Sequence, residues 1–214
     1  MCFSASASFI VGGGLVVFGS LTVKQAANRS ELPFAAIPLL FGIQQLIEGV
    51  VWLSLQYDLA LLKEVATYMF SIFSHVLWPV YVPLAVCLME RNEWRRKALW
   101  IFSFIGVVAG AHLLVLIATQ ALTVVAGEHI IYVTARHYEW PMMLIYITAT
   151  CLAPLFSSFP LVRFFGAVAL LLFFISYWFY TTAFFSVWCF FAAILSTIIY
   201  VFFRGRRKYD FGRV

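Results

Sequence analysis

Long apolar runs are the feature that most constrains this chain. Seven of them are long enough to cross a bilayer, which takes roughly 17–25 mostly apolar residues. They cover approximately residues 5–23, 34–56, 64–89, 98–122, 141–158, 164–182 and 185–203. Hydrophobic residues make up 64% of the chain and charged residues only 11%, so no water-soluble fold could bury this much apolar surface. The sequence therefore predicts an all-α integral membrane protein, with residues 1–214 forming one bundle of seven transmembrane helices.

The basic residues predict the orientation of this bundle. Twelve of the fourteen Lys and Arg residues fall in segments on one side of the bilayer, and only Lys63 and Arg136 fall on the other. Cytoplasmic segments of membrane proteins carry an excess of Lys and Arg. We therefore expect a multi-pass protein of the plasma (inner) membrane, with its N-terminus outside and its C-terminus in the cytoplasm. Topology accounts for the net charge of +5, so we expect the lipid bilayer as partner and no nucleic acid.

Three ionisable residues lie well inside the predicted helices: Glu48, His75 and His112. Such residues are costly in a bilayer and mark candidate functional sites. Counting 1.5 Å per residue from the outer helix ends places all three at roughly 12–16 Å depth. Because they come from consecutive helices, we expect them to meet in one polar layer in the outer half of the bundle.

Glu48 shares a helix face with other polar side chains. Gln44, Gln45 and Trp52 lie three or four residues from it, and residues at this spacing are neighbours on a helix surface. Trp78 follows His75 by three residues, and Tyr146 is a polar residue of the fifth predicted helix. The candidate residues for binding a ligand or a proton are Glu48, Gln44, Gln45, Trp52, Trp78 and Tyr146.

Three interpretations of this layer stay open. Glu48 could join helices through hydrogen bonds, or it could titrate along a proton or solute pathway. Two histidines and a carboxylate also form a recognisable metal set, so His75, His112 and Glu48 could bind a metal ion, or the histidines could ligate haem. Retinal is excluded because residues 185–203 contain no lysine for a Schiff base. That helix has no His, Asp or Glu either, which argues against a ceramidase-type zinc hydrolase.

Two further groups of residues lie towards the outer side. Cys2 and Cys189 could form a disulfide in this oxidising location, or could remain thiols or bind a soft metal. The loop 123–140 carries His129 and His137, which are either solvated loop residues or part of a lid over an outward-facing pocket.

Several motifs resemble those of a family of small, uncharacterised prokaryotic multi-pass membrane proteins. They are Met-Cys-Phe-Ser-Ala-Ser-Ala-Ser-Phe at 1–9, Gln-Gln-Leu-Ile-Glu-Gly at 44–49, Trp78-Pro79, and Ser-Val-Trp-Cys-Phe-Phe-Ala-Ala at 186–193. The resemblance covers nearly the whole chain and implies no activity, because the family is a domain of unknown function. It implies that Cys2, Gln44, Gln45, Glu48, Trp78 and Cys189 are family features, which favours a role centred on Glu48 over one centred on the histidines.

The sequence therefore predicts a membrane protein that binds a small ligand, a metal ion or haem in a polar pocket around Glu48. Whether it is an enzyme stays undecided, although cofactor-assisted redox chemistry on a lipid-soluble substrate fits better than hydrolysis. The alternatives are a proton-coupled transporter or channel, and a structural or assembly subunit of a membrane complex. A homo-oligomer is compatible with each of these functions.

Overall fold

The chain is almost entirely helical in the computed structural model, which describes residues 4–120, 122–126, 130–133, 140–180 and 183–211. Its helices are α1 Ala5–Val23, α2 Leu32–Ala35, α3 Ile37–Gln56, α4 Ala60–Ser71, α5 Trp78–Met89, α6 Glu93–Thr119, α7 Trp140–Ile147, α8 Ala153–Leu155, α9 Pro160–Phe179, α10 Phe184–Leu195 and α11 Thr197–Phe211. Two π-helical segments join α4 to α5 and α7 to α8. They are Ile72–Leu77 and Thr148–Leu152.

Six helical stretches in the described part of the chain are long and apolar enough to cross a membrane. They are Ala5–Val23, Leu32–Gln56, Ala60–Met89, Glu93–Thr119, Pro160–Phe179 and Phe184–Gly205. The first has the predicted bounds, because Ser4 caps its first turn by accepting a hydrogen bond from the Ala7 amide at 3.2 Å. The predicted fifth span is also helical, but Pro141–Leu155 is shorter than the others. These helices are consistent with a membrane protein.

Helices α1 and α3 pack with their backbones in close contact. A methyl group on Gly12 would lie 3.0 Å from the carbonyl oxygen of Gly42, and one on Gly19 would lie 2.3 Å from the amide nitrogen of Leu39. Small residues permit this kind of approach between membrane helices. The two helices are antiparallel, so the first turns of α1 lie beside the last turns of α3, where the Phe9 ring packs on Gly49.

Helices α5 and α6 are in even closer contact. A methyl group on Gly106 would lie 1.8 Å from the carbonyl oxygen of Pro79, and one on Gly110 would lie 3.2 Å from that of Val76. Pro83 lacks the N–H that would bond the Pro79 carbonyl within the helix, so this carbonyl is free to face α6. The glycines therefore fix which face of α6 is turned into the bundle.

A short antiparallel hairpin follows α6, in a segment that sequence analysis treated as an outer loop. Strand β1 Thr123–Ala126 pairs with β2 Ile130–Val133, with Val124 opposite Tyr132. The β-branched residues of both strands favour extended backbone, and this is the physical reason for the hairpin. Ile130 is fully buried in a cluster with Val51 and Ala66.

At the other end of α6, polar residues hold the segment that follows α8. The carboxylate of Glu90 is buried and accepts hydrogen bonds from the Ser158 amide and the Ser158 hydroxyl, both at 2.6 Å. Arg95 donates to the carbonyl oxygens of Phe156 and Ser157, both at 3.0 Å. Arg163 donates to the Ser157 carbonyl at 3.1 Å. We refer to Glu90, Arg95, Ser157, Ser158 and Arg163 as the Glu90 clamp.

Candidate functional site

Glu48 lies in the middle of the bundle with no solvent-exposed surface. Its carboxylate accepts a hydrogen bond from the hydroxyl of Ser186 in the first turn of α10. The Cys189 thiol, one helical turn after Ser186, is close enough for electrostatic interaction with the same carboxylate. This contact joins two of the motifs, since Glu48 belongs to the one on α3 and Ser186 and Cys189 to the one on α10.

Gln44, one turn before Glu48, links α3 to the helix that contains His75. Its side-chain oxygen accepts a hydrogen bond from the indole N–H of Trp78 at 2.6 Å, and its side chain lies near Cys189. The Trp78 ring is held in place by stacking on Phe41, with ring centroids 3.8 Å apart. Glu48, Gln44, Trp78 and Cys189 therefore meet in one site, and the presence of Cys189 there was not predicted.

Other polar atoms at this level have no hydrogen-bonding partner within the described structure. Gln45 is fully buried, yet neither its amide oxygen nor its amide nitrogen is bonded. The amide nitrogen of Gln44, the indole nitrogen of Trp52 and the hydroxyl of Ser8 are also buried without a partner. Ser8 precedes Phe9, whose ring packs on Gly49, so it lies at the level of Glu48. We refer to Ser8, Gln44, Gln45, Glu48 and Trp52 as the Glu48 cluster.

Burying a polar group without a hydrogen bond costs free energy, so native proteins keep few such groups. The Glu48 cluster concentrates several of them around a carboxylate. Its free atoms include donors on Gln44, Gln45 and Trp52, and an acceptor on Gln45. A molecule at this place could therefore accept and donate hydrogen bonds simultaneously.

His75 is buried, but it makes its described hydrogen bonds within its own helix. Its Nδ1 lies 2.6 Å from the Ser74 hydroxyl and 3.2 Å from the Ser71 carbonyl oxygen. The ring lies against Phe185, with centroids 4.2 Å apart. The hydroxyl of Tyr146 donates to the backbone carbonyl of Ser74. Tyr146 therefore lies next to the π-helical segment of His75.

The expectation that His112 joins the polar layer was wrong. His112 is exposed on the outer face of α6, because Gly106 and Gly110 turn the opposite face into the bundle. Among the described residues, no three His, Cys, Asp or Glu side chains are placed to hold a metal ion. His75, His112 and Glu48 therefore do not form the predicted metal set.

An apolar cavity adjoins the Glu48 cluster. Trp78 and Cys189 belong to its wall, as do Tyr146, Cys151 and Trp188. Because Trp78 hydrogen-bonds with Gln44 and Cys189 lies near it, the cavity and the cluster share a boundary. This places the predicted residue Tyr146 at the cavity.

The hairpin covers the end of α3 that follows Glu48. Ile130, Val124 and Tyr132 pack in one apolar group with Val51 and the half-buried Trp52. The Tyr132 ring stacks on Phe70, with centroids 4.5 Å apart. The hairpin therefore covers the Glu48 cluster at this end of α3.

Three predicted residues fall outside the described residues. They are Cys2, His129 and His137. The disulfide between Cys2 and Cys189 thus stays a prediction, as does the role of the two histidines in a lid. Cys189 itself is buried, in contact with Gln44.

Sequence analysis missed Ser186 as a partner of Glu48. Ser186 lies three residues before Cys189, so both share a face of α10, and this spacing was a usable signal. A comparison with protein-family models gives a match to a family described as "Family of unknown function (DUF6629)", over residues 1–213. No curated protein and no solved structure matches the chain.

Proposed function

Because the chain belongs to this family of unknown function, which transfers no activity, we propose its role from its own side chains. The protein is an integral membrane protein with seven crossings that binds a small polar molecule at the Glu48 cluster. The single observation that carries this proposal is Gln45, a fully buried amide with both polar atoms free, beside a buried carboxylate.

The seventh crossing in this proposal is the short helix Pro141–Leu155. It begins after the hairpin, which follows the last turn of α6. It ends where Glu90 and Arg95 of the Glu90 clamp hold Phe156 and Ser158, next to the first turn of α6. The short helix thus runs beside α6 and ends near its first turn, which supports a crossing in spite of its modest length.

The proposed orientation places the N-terminus outside and the C-terminus in the cytoplasm of a plasma membrane. With seven crossings, the Glu90 clamp lies on the side that carries twelve of the fourteen basic residues. Excess Lys and Arg marks the cytoplasmic side. The hairpin and the Glu48 cluster are then nearer the outer surface.

The free atoms define the chemistry of the ligand. Gln44, Gln45 and Trp52 offer N–H donors, so the ligand has at least one acceptor atom. The Gln45 oxygen offers an acceptor, so the ligand also has a donor such as a hydroxyl or an amine. A polar molecule of this kind would remove the cost of leaving these groups unpaired in an apolar interior.

A purely structural role explains the site less well. A polar group that only joins helices is expected to have its hydrogen bonds satisfied by the protein. Ser186 bonds the Glu48 carboxylate and Trp78 bonds the Gln44 oxygen in this way, whereas nothing described bonds either polar atom of Gln45. A proton-coupled transporter would also need a binding site, and in addition a path from that site to the cytoplasm.

Native mass spectrometry of the protein released from detergent tests the proposal. We expect wild-type protein to carry a bound mass that organic extraction releases, and Gln45→Leu and Glu48→Gln to carry at most about a tenth of it. Gln56→Leu, on the exposed end of α3, and Glu93→Gln, exposed at the start of α6, are the matched controls and retain it. Equal occupancy in all five proteins, or wild-type protein with no bound mass, would overturn the proposal.

A further inference from the structure

His112 is an ionisable residue on an otherwise apolar outer face of α6. Its side chain is exposed and makes no hydrogen bond within the described structure. On the same face Phe104 is 69% exposed, Val108 46% and Val115 59%. A lone imidazole thus interrupts a surface that otherwise suits lipid.

The position of His112 along α6 places it within the hydrocarbon layer. Arg95, Arg96 and Lys97 lie at one end of the helix, and Thr119 is its last residue. At 1.5 Å per residue, His112 lies about 22 Å beyond Lys97 and about 10 Å before Thr119. The hydrocarbon layer is about 30 Å thick, so the imidazole is well below either surface.

Rotation of α6 cannot bring His112 into the bundle. Gly106 and Gly110 face the backbone of Pro79 and Val76 so closely that the Gly106 face admits no side chain. Residues two positions apart on a helix point about 200° apart, which puts His112 on the opposite side from Gly110. The fold therefore presents this imidazole outward.

Lipid tails cannot hydrogen-bond an imidazole, and ionisable residues in membrane helices almost always find a polar partner. We propose that the partner is His112 of a second copy of this chain, and that the two α6 helices meet about a twofold axis along the membrane normal. This inference is independent of the proposed ligand at Glu48.

Two properties of the surface favour a second copy over another protein. A neutral imidazole has one N–H donor and one acceptor nitrogen, so two of them complement each other. Two identical chains in one membrane with the same orientation bring His112 to the same depth, as a twofold interface requires. Ala111, exposed next to His112, is small enough to let the two helices approach at this point.

Oxidative cross-linking in native membranes tests this arrangement. Val108→Cys lies one turn from His112 on the same face, is 46% exposed and leaves the imidazole in place. Treated with copper phenanthroline, it is expected to give a band of twice the chain mass on non-reducing gels. Leu171→Cys, on the 58% exposed outer face of α9, and the wild-type chain with its four native cysteines are the controls and remain monomeric. A Val108→Cys protein that stays monomeric, or that cross-links to a protein of another mass, would overturn the proposal.

A second measurement does not require an added cysteine. The monomer–dimer equilibrium of labelled protein can be followed by energy transfer during dilution in lipid vesicles. We expect His112→Leu to raise the dissociation constant at least tenfold, while Leu171→Ala leaves it unchanged. Because His112 is exposed, both variants should melt within a few degrees of wild type. A His112→Leu protein that dimerises as tightly as wild type would contradict the role of the imidazole.

Discussion

The hydroxyl of Tyr146 donates its hydrogen bond to the backbone carbonyl of Ser74, across the interface between two helices. Pro79 has no N–H, so a carbonyl in the turn before it lacks its helical donor. A π-helix bonds residues five apart, and counting five residues back from Pro79 leads to Ser74. The tyrosine therefore supplies a donor that the proline has removed.

Replacing Tyr146 by Phe should reduce the free energy of unfolding by about 1–3 kcal/mol, because a buried carbonyl loses its donor. Thermal unfolding in detergent measures the change, with Tyr57→Phe, at a 64% exposed tyrosine, as the control. In a Pro79→Ala background the cost should fall by about half or more, since the substituted alanine brings its own N–H. Equal costs in both backgrounds would show that the carbonyl already has a helical donor.

Two glycine substitutions should have opposite effects on stability. A methyl group on Gly106 would lie 1.8 Å from the Pro79 carbonyl oxygen, so Gly106→Ala must separate α5 from α6. We expect it to cost about 3 kcal/mol or more. A methyl group on Gly14 meets nothing within 4 Å, and Gly14→Ala should stabilise α1 by about 0.5–1 kcal/mol. Melting curves of both variants in one detergent test this prediction. Similar losses of stability in Gly106→Ala and Gly14→Ala would refute the close contact between α5 and α6.

Acid should weaken the Glu90 clamp. Burial raises the pKa of Glu90, but hydrogen bonds from Ser158, Asn92 and Arg91 outweigh it and hold the pKa below the usual 4.5. The carboxylate therefore stabilises the fold fully above pH 4.5, and this contribution is lost as the pH falls through the lower pKa of the folded protein. At neutral pH the melting temperature of wild-type protein should be higher than that of Glu90→Gln, and this difference in melting temperature should disappear in acid.

The control for this experiment is Glu93→Gln, at an exposed position three residues later. Its melting temperature should follow that of wild type at each pH. A difference between wild type and Glu90→Gln that persists undiminished to about pH 3 would show that the carboxylate form has no special role.

Gln45→Leu should stabilise the protein once any bound molecule has been washed out. Leucine replaces a buried amide whose two polar atoms have no described partner. Removing that cost should raise the free energy of unfolding by about 1–2 kcal/mol. Gln56→Leu, exposed on the same helix, should change it little. A destabilised Gln45→Leu protein would indicate that the empty protein already satisfies this amide.

The sequence was most informative where apolar length decides the structure. Residues 5–23 were predicted as the first helix and are α1, because an apolar run with a serine cap leaves little freedom. The Gln44-Gln45-Glu48 spacing placed these residues correctly on one buried face of α3. The short helix at 141–155 and the hairpin were harder, because both depend on packing against other helices.

The orientation of His112 was predicted wrongly for a physical reason. Both faces of α6 are apolar, so hydrophobic periodicity does not say which one is buried. The informative pair was Gly106 and Gly110, whose spacing marks a face for close helix contact, away from His112. The π-helical segments were not predictable, since their residues have no local preference that distinguishes them from an α-helix.

The hairpin has a consequence for how fast the proposed bound molecule could dissociate from the Glu48 cluster. Ile130 is fully buried against Val51 and Ala66, and Tyr132 stacks on Phe70. The molecule proposed to bind there would have to wait until these apolar contacts separate before it left towards the hairpin, and its residence time would then depend on hairpin opening more than on its own hydrogen bonds. Even a weakly bound molecule can then dissociate slowly, and one acquired in the cell can persist through hours of purification.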